Sequence, residues 1–489
     1  MPSRKQFLAC LFICSLICCL SLNQILLTPL SIKFSGEIST AKTADLLSKF
    51  IKFNSQKFFE SRFNSFQDID NKVCSHRKYQ QVNLEDCFKK LKRQYINKKL
   101  NLLPEDIPIN GQNINDIIAI IDDLHMIEMH VNQIPDNRLS EIQKKQYNLE
   151  ILKNKTAFFY SIFLDKRAAI IVNLPNKYQK LKWINIDEKT FKSEVNKFRI
   201  GLENYGDIAY NPQQAQKLYD WIIRPFVKDL ESLQIETLVF VPDGILRSIP
   251  MAALHDGEKF LIEKYAIATT PSLTLTNLGT STKKLRALIV GLTKDAIVDG
   301  CKCKALSHVA TEIRQVQQQI PDSKQLLDEN FTRHRLELEL HQSFYPIIHI
   351  ATHGEFSQLL DDTFLVTGDN QKLTITELSR IFRSLNQENK IIDLLMLTAC
   401  ESAIGNDNAV FGLAGVAVQG GVKTAIAPLW SINDAATVDL VTKFYQAWCH
   451  SGVSKAEALR IAQRSLIASN GASSHPAYWA GFILVGNWF

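Results

Sequence analysis

Two short stretches of this 489-residue chain set a histidine and a cysteine where they could act on one substrate. Ile347–Ala351 is an apolar run that ends in Thr352-His353-Gly354-Glu355. Asp393–Leu397 is another, ending in Thr398-Ala399-Cys400-Glu401-Ser402. A thiolate is a nucleophile, and a nearby imidazole can take its proton and later return it to a leaving amine. Gly354 has no side chain, so its N–H can approach a reacting carbonyl closely. With the N–H of Cys400 it could form an oxyanion hole, worth about 10²–10³ in rate per donor. Taken singly, His353 or Cys400 reads as well as a packed core residue. Their shared setting at polar run ends, with a glycine beside the histidine, favours acyl-transfer chemistry on a peptide or protein substrate. A third run, Thr424–Ala427, leads through Pro428-Leu429-Trp430-Ser431-Ile432-Asn433 to Asp434. Asp434 would open a helix, where its charge suits the amino-terminal dipole. Its functional reading is a carboxylate that binds the residue before the cut and selects Arg or Lys.

Other candidates are weaker. His349 lies inside its run and is expected to be packed. His475 precedes Pro476 and is expected to position a loop. Cys449 and His450 end a helix, as a core thiol and a cap. Cys301-x-Cys303 could bind metal or oxidise, but a loop with two incidental thiols is the favoured reading. No H-E-x-x-H and no Cys-x-x-Cys pair supports zinc, and no phosphate-cradling glycine loop appears. No metal and no cofactor is expected.

The elements that must position these residues are short apolar strands alternating with helices. Strands are expected at Leu238–Val241, Tyr265–Thr269, Ala287–Leu292, Ile347–Ala351, Asp393–Leu397, Thr424–Ala427 and Phe482–Val485. Helices are expected near 308–319, 330–342, 374–384, 409–419, 434–449 and 454–469. That alternation predicts an α/β fold with a mostly parallel sheet and helices on both faces. In such sheets functional groups gather beyond the carboxyl ends of the strands, where His353, Cys400 and Asp434 fall. A hairpin is expected where Ala157–Leu164 and Ala168–Val172 flank Asp165-Lys166-Arg167.

Upstream, residues 40–150 show helical periodicity, as in Leu84, Phe88, Leu91 and Tyr95, without a convincing internal repeat. Net charge is +6 overall. Residues 41–100 hold 14 Lys/Arg against 6 Asp/Glu, a local +8; residues 1–40 add +2, leaving −4 for 101–489. The near-neutral body argues against a nucleic-acid binder. The basic surplus fits solvated helix faces, anionic lipid or an acidic regulatory partner. Arg4 and Lys5 precede an apolar run through residues 7–28, which reads as an export signal or an uncleaved membrane anchor over 1–35. Either would place the bulk of the chain on the non-cytoplasmic side.

Five segments in order resemble the CHAT domain family, a caspase-like module often joined to helical repeats. They are Val241-Pro242-Asp243-Gly244 with Ile249-Pro250-Met251-Ala252-Ala253-Leu254-His255; Ala351-Thr352-His353-Gly354-Glu355-Phe356; Leu397-Thr398-Ala399-Cys400-Glu401-Ser402; Leu429 to Thr437; and His475 to Phe482. The domain they imply covers about 155–489, nearly 70% of the chain. The resemblance implies a caspase–haemoglobinase fold, kinship with separase and gingipain, and a cysteine endopeptidase with His353 as base and Cys400 as nucleophile. It also implies a substrate-binding acidic residue near Asp434. Many CHAT domains lack demonstrated peptidase activity, so the alternative is a catalytically idle signalling or scaffold module that docks through its helical region.

Overall fold

The computed structural model describes residues 155–489 apart from short stretches, chiefly 205–209, 280–284, 356–362 and 399–417. It also describes a helix over 112–128 and scattered positions from 93 to 103. The apolar run of residues 7–28, most of the basic segment and Cys400 lie outside the described residues. Among the described residues no helix is long and apolar enough to cross a membrane. Residues Ile96–Val131 and Glu141–Phe489 form one compact unit.

The strands are β1 (Thr156–Leu164), β2 (Arg167–Leu174), β3 (Tyr178–Ile184), β4 (Thr237–Val241), β5 (Ala266–Thr269), β6 (Ala287–Gly291), β7 (Ala296–Val298), β8 (Cys301–Cys303), β9 (Ser323–Leu327), β10 (Ile347–Ala351), β11 (Gly354–Glu355), β12 (Phe364–Val366), β13 (Lys372–Thr374), β14 (Leu394–Leu397), β15 (Thr424–Pro428) and β16 (Phe482–Gly486). The principal helices are α1 (Gln112–Glu128), α2 (Glu188–Glu203), α3 (Gln213–Ile222), α4 (Val309–Gln319), α5 (Arg333–Gln342), α6 (Ile375–Gln387), α7 (Asp434–Ser451) and α8 (Lys455–Ile467).

Eleven strands form one sheet in the order β3-β2-β1-β4-β5-β16-β15-β14-β10-β6-β9. Seven of its ten pairings are parallel; β1–β2, β2–β3 and β15–β16 are antiparallel. The expected α/β sheet is therefore present. Its inner strands are mostly apolar because both faces are covered, with His349 of β10 a buried exception. In β10, Ile347 and Ala351 join one core cluster while Ile348 and Ile350 join the other. Strand β14 repeats the pattern, Leu394 and Met396 against Leu395 and Leu397. Helices complete both clusters: Ile313 and Val316 of α4 and Leu440 and Phe444 of α7 join the first, while Leu336 of α5 and Leu378 and Phe382 of α6 join the second.

Helix α6 starts at a reciprocal cap. Thr374 Oγ1 accepts from the Glu377 amide (3.3 Å), and the Glu377 carboxylate accepts from the Thr374 amide (3.0 Å). Cys301-x-Cys303, expected as a loop, is instead strand β8, paired antiparallel with β7. The reason is local: Asp299 and Gly300 both adopt positive φ (51° and 79°), the conformation a two-residue hairpin turn requires. The edge strand β9 was not expected; Ser323, Lys324 and Gln325 give it no apolar run.

Candidate active site

His353 leaves the carboxyl end of β10, two residues beyond Ala351. Strand β10 has β14 on one side and β6 on the other. Ile350 lies opposite Leu397, and the Thr398 amide donates to the Ile350 carbonyl (3.0 Å). Thus the strand leading to His353 and the strand leading to Cys400 are neighbours. Beyond β14 comes β15, which leads to Asp434. The three sequence-predicted strand ends adjoin, although Ala399 and Cys400 themselves lie outside the described residues.

The His353 side chain is buried, with 9% of the residue's surface exposed. Its Nε2 lies 2.8 Å from the carbonyl oxygen of Lys304. A carbonyl can only accept, so Nε2 carries the proton and Nδ1 is left with the lone pair. An imidazole in that tautomer can take a proton at Nδ1. The main chain around it is pinned: Thr352 Oγ1 donates to the Val366 carbonyl (2.6 Å), and the Val366 amide donates to the His353 carbonyl (2.8 Å). On the other side the Leu292 amide donates to the Ala351 carbonyl (3.0 Å). This last approach requires Gly291, because a Cβ there would lie 2.7 Å from the Ala351 oxygen.

Gly354 follows in β11, opposite Leu365 of β12. Antiparallel pairs alternate between bonded and non-bonded kinds. His353 and Val366 form a bonded pair, so Gly354 and Leu365 form a non-bonded one. The Gly354 N–H therefore points away from β12, unspent in the ladder.

Asp434 is the first residue of α7, but it is not the cap. Asn433 fills that role, its Oδ1 accepting from the Ala435 and Ala436 amides (3.0 and 3.4 Å). The Asp434 carboxylate is half-buried in the first turn of α7, where its charge suits the helix dipole. The connection that carries it is fixed by Trp430, whose Nε1 donates to the Ala477 carbonyl (2.9 Å), and whose ring lies against Gly481 so closely that a Cβ there would come within 2.9 Å.

The remaining candidates have structural partners. His349 Nε2 lies 2.9 Å from Glu312 and its Nδ1 3.3 Å from the Tyr445 hydroxyl. His475 Nδ1 accepts from the Ala477 amide (3.1 Å) at the start of a short helical turn. His450 reaches Gln319 of α4 (3.1 Å) rather than the last carbonyls of its own helix, which ends at Gly452 with φ 65°. Burial pushes the Cys449 thiol up to about 12. Among the described residues no group of His, Cys, Asp and Glu could hold a metal ion. The participant that side-chain reasoning missed is the Lys304 carbonyl, because a backbone acceptor has no residue signature. The Asp299-Gly300 turn was the one clue to the hairpin that presents it.

The CHAT domain family matches residues 212–487, more than half of the chain, and the chain belongs to that family. No curated protein sequence matches it. Among solved structures it resembles the separase–securin complex of Saccharomyces cerevisiae, with 12% identity and a TM-score of 0.50 over 91% of this chain and 40% of that one. It also matches the Arg-specific cysteine proteinase gingipain R, with 10% identity and a TM-score of 0.37 over 62% of this chain and 74% of that one. The complex of Porphyromonas gingivalis RgpB pro- and mature domains gives 12% identity and a TM-score of 0.37 over 62% and 76%. The separase likeness bears on the fold alone, and this chain spans 40% of the separase chain's length.

Proposed function

We propose that this CHAT protein is a cysteine endopeptidase in which His353 is the base and Cys400 the nucleophile. The observation that carries the reading is the pairing of β10 with β14, which sends the two segments off neighbouring strand ends. The Cys400 thiol gives its proton to His353 Nδ1, and the thiolate adds to the scissile carbonyl carbon. The Gly354 and Cys400 N–H groups hold the oxyanion. The amine then leaves with the proton from the imidazolium, and water hydrolyses the thioester to restore the thiol. Asp434, not engaged in capping, binds an Arg or Lys side chain before the cut. A regulatory protein docks through residues 40–150.

Purified full-length protein is expected to cleave peptides after Arg or Lys and to be labelled by an arginyl electrophile at Cys400. Cys400→Ala abolishes both without changing the unfolding midpoint. Absence of labelling while the Cys400 thiol is free, together with function that survives Cys400→Ala but not loss of 40–150, would instead identify a binding module.

A further inference from the structure

The imidazole of His353 is held by one peptide group, and the other end of that peptide is held by a carboxylate. The Lys304 carbonyl accepts from His353 Nε2 at 2.8 Å. The N–H of the same peptide unit, on Ala305, donates to Asp295 Oδ1 at 2.8 Å. Asp295 directly precedes β7 and Lys304 directly follows β8. The register Ala296 opposite Cys303 therefore sets Asp295 and Lys304 facing each other at the open end of the hairpin. Asp295 Oδ2 also meets the Lys302 ammonium at 2.6 Å. The far end is tied down separately. The Ile297 amide donates to Asn370 Oδ1 (2.9 Å), and Lys372 pairs with Asp299.

We infer that Asp295 is a positioning residue for the base, acting on His353 through the Lys304–Ala305 peptide. This rests on the reading of His353 as the base of the peptidase. A carboxylate at the N–H end of a peptide polarises it and makes its carbonyl a stronger acceptor. That fixes the proton on Nε2, holds the ring plane, and favours the imidazolium when Nδ1 takes the second proton. The charged groups facing Asp295 are Lys302 and Lys304. The bond from Lys302 and that from the Ala305 amide hold its carboxyl below the usual carboxylate range, so it is ionised at neutral pH. The arrangement gives the imidazole the help of a carboxylate without direct contact between them. It also makes the β7–β8 hairpin part of the catalytic apparatus.

The test uses full-length protein with ¹⁵N-labelled histidine. In the wild type, the neutral His353 ring is expected to be protonated at Nε2. In Asp295→Ala both tautomers become populated, and alkylation of Cys400 by iodoacetamide at neutral pH slows by about tenfold, the equivalent of one pKa unit. Asp295→Asn keeps an acceptor for the Ala305 amide and restores the tautomer, with intermediate alkylation. Lys302→Ala removes only the ion pair and leaves the tautomer unchanged, which separates the relay from general loosening of the hairpin. Wild-type protein without the Nε2-protonated tautomer, or Asp295→Ala with unchanged tautomer and alkylation rate, overturns the inference. If Cys400 is inert in every protein, the peptidase reading fails, while the tautomer measurement still decides whether Asp295 acts on His353.

Discussion

Two histidines four residues apart show how position decides what the same side chain does. His349 lies inside β10, fully buried, between Glu312 of α4 and Tyr445 of α7. Its polar atoms are spent on neighbours across the helix–sheet interface, and burial raises the Tyr445 phenol well above its ordinary range. His353 lies past the strand end, and one nitrogen meets a backbone carbonyl. This difference was legible in the sequence, since His349 interrupts an apolar run and His353 follows one. Removing one partner of a buried hydrogen-bonded pair leaves the other unsatisfied. Glu312→Ala is therefore expected to lower stability by about 2–4 kcal/mol in urea unfolding. An unchanged midpoint would show that the His349–Glu312 contact contributes nothing to the fold.

At the scale of elements, the parallel strands that end at the site were readable because burial on both faces makes them short, mostly apolar runs. Strand β9 and the small sheet of β11, β12 and β13 were not, because these segments are short or carry polar residues. The motif that follows β4 owes its shape to a turn rather than to a strand. Asp256 accepts from the Glu258 and Lys259 amides (both 2.8 Å) and pairs with Lys264, linking Ile249–His255 to the short helix Leu261–Lys264. Burial alone would raise the Asp256 carboxyl, but Lys264 and the two amides outweigh it and hold the group at about 2. A carboxyl depressed in the folded state contributes stability above its unfolded value, near 3.9, and loses it as pH falls toward about 2. The contribution at neutral pH is on the order of 2 kcal/mol. Asp256→Asn should lower the unfolding free energy at pH 7 and converge on the wild type as pH falls through about 2. An equal difference at both pH values would place the effect elsewhere.

Across the whole molecule, the order of the strands explains why chemistry collects where it does. From β6 the chain moves outward to β9, then returns to the other side of β6 as β10 and continues to β14 and β15. The connections leaving β6 and β10 thus diverge, and crevices of this kind at strand carboxyl ends are where open α/β sheets place their sites. Lys304, reached from β6, and His353, reached from β10, meet across that divergence. Sequence patterning exposed the strands but not their lateral order, since order is set by long-range packing. Helix α1 precedes the family match yet belongs to the same compact unit, burying Ile117, Ile118, Ile121 and Leu124. The central claim is that His353 and Cys400 act as one proton-transfer pair, and the rate of Cys400 alkylation in the native protein against pH tests it most directly. The Cys400 thiolate is expected to react well below the ordinary thiol value of about 8.5, and His353→Ala to lose that low-pH reactivity. Identical profiles for the two proteins, both rising only near the ordinary value, would contradict it.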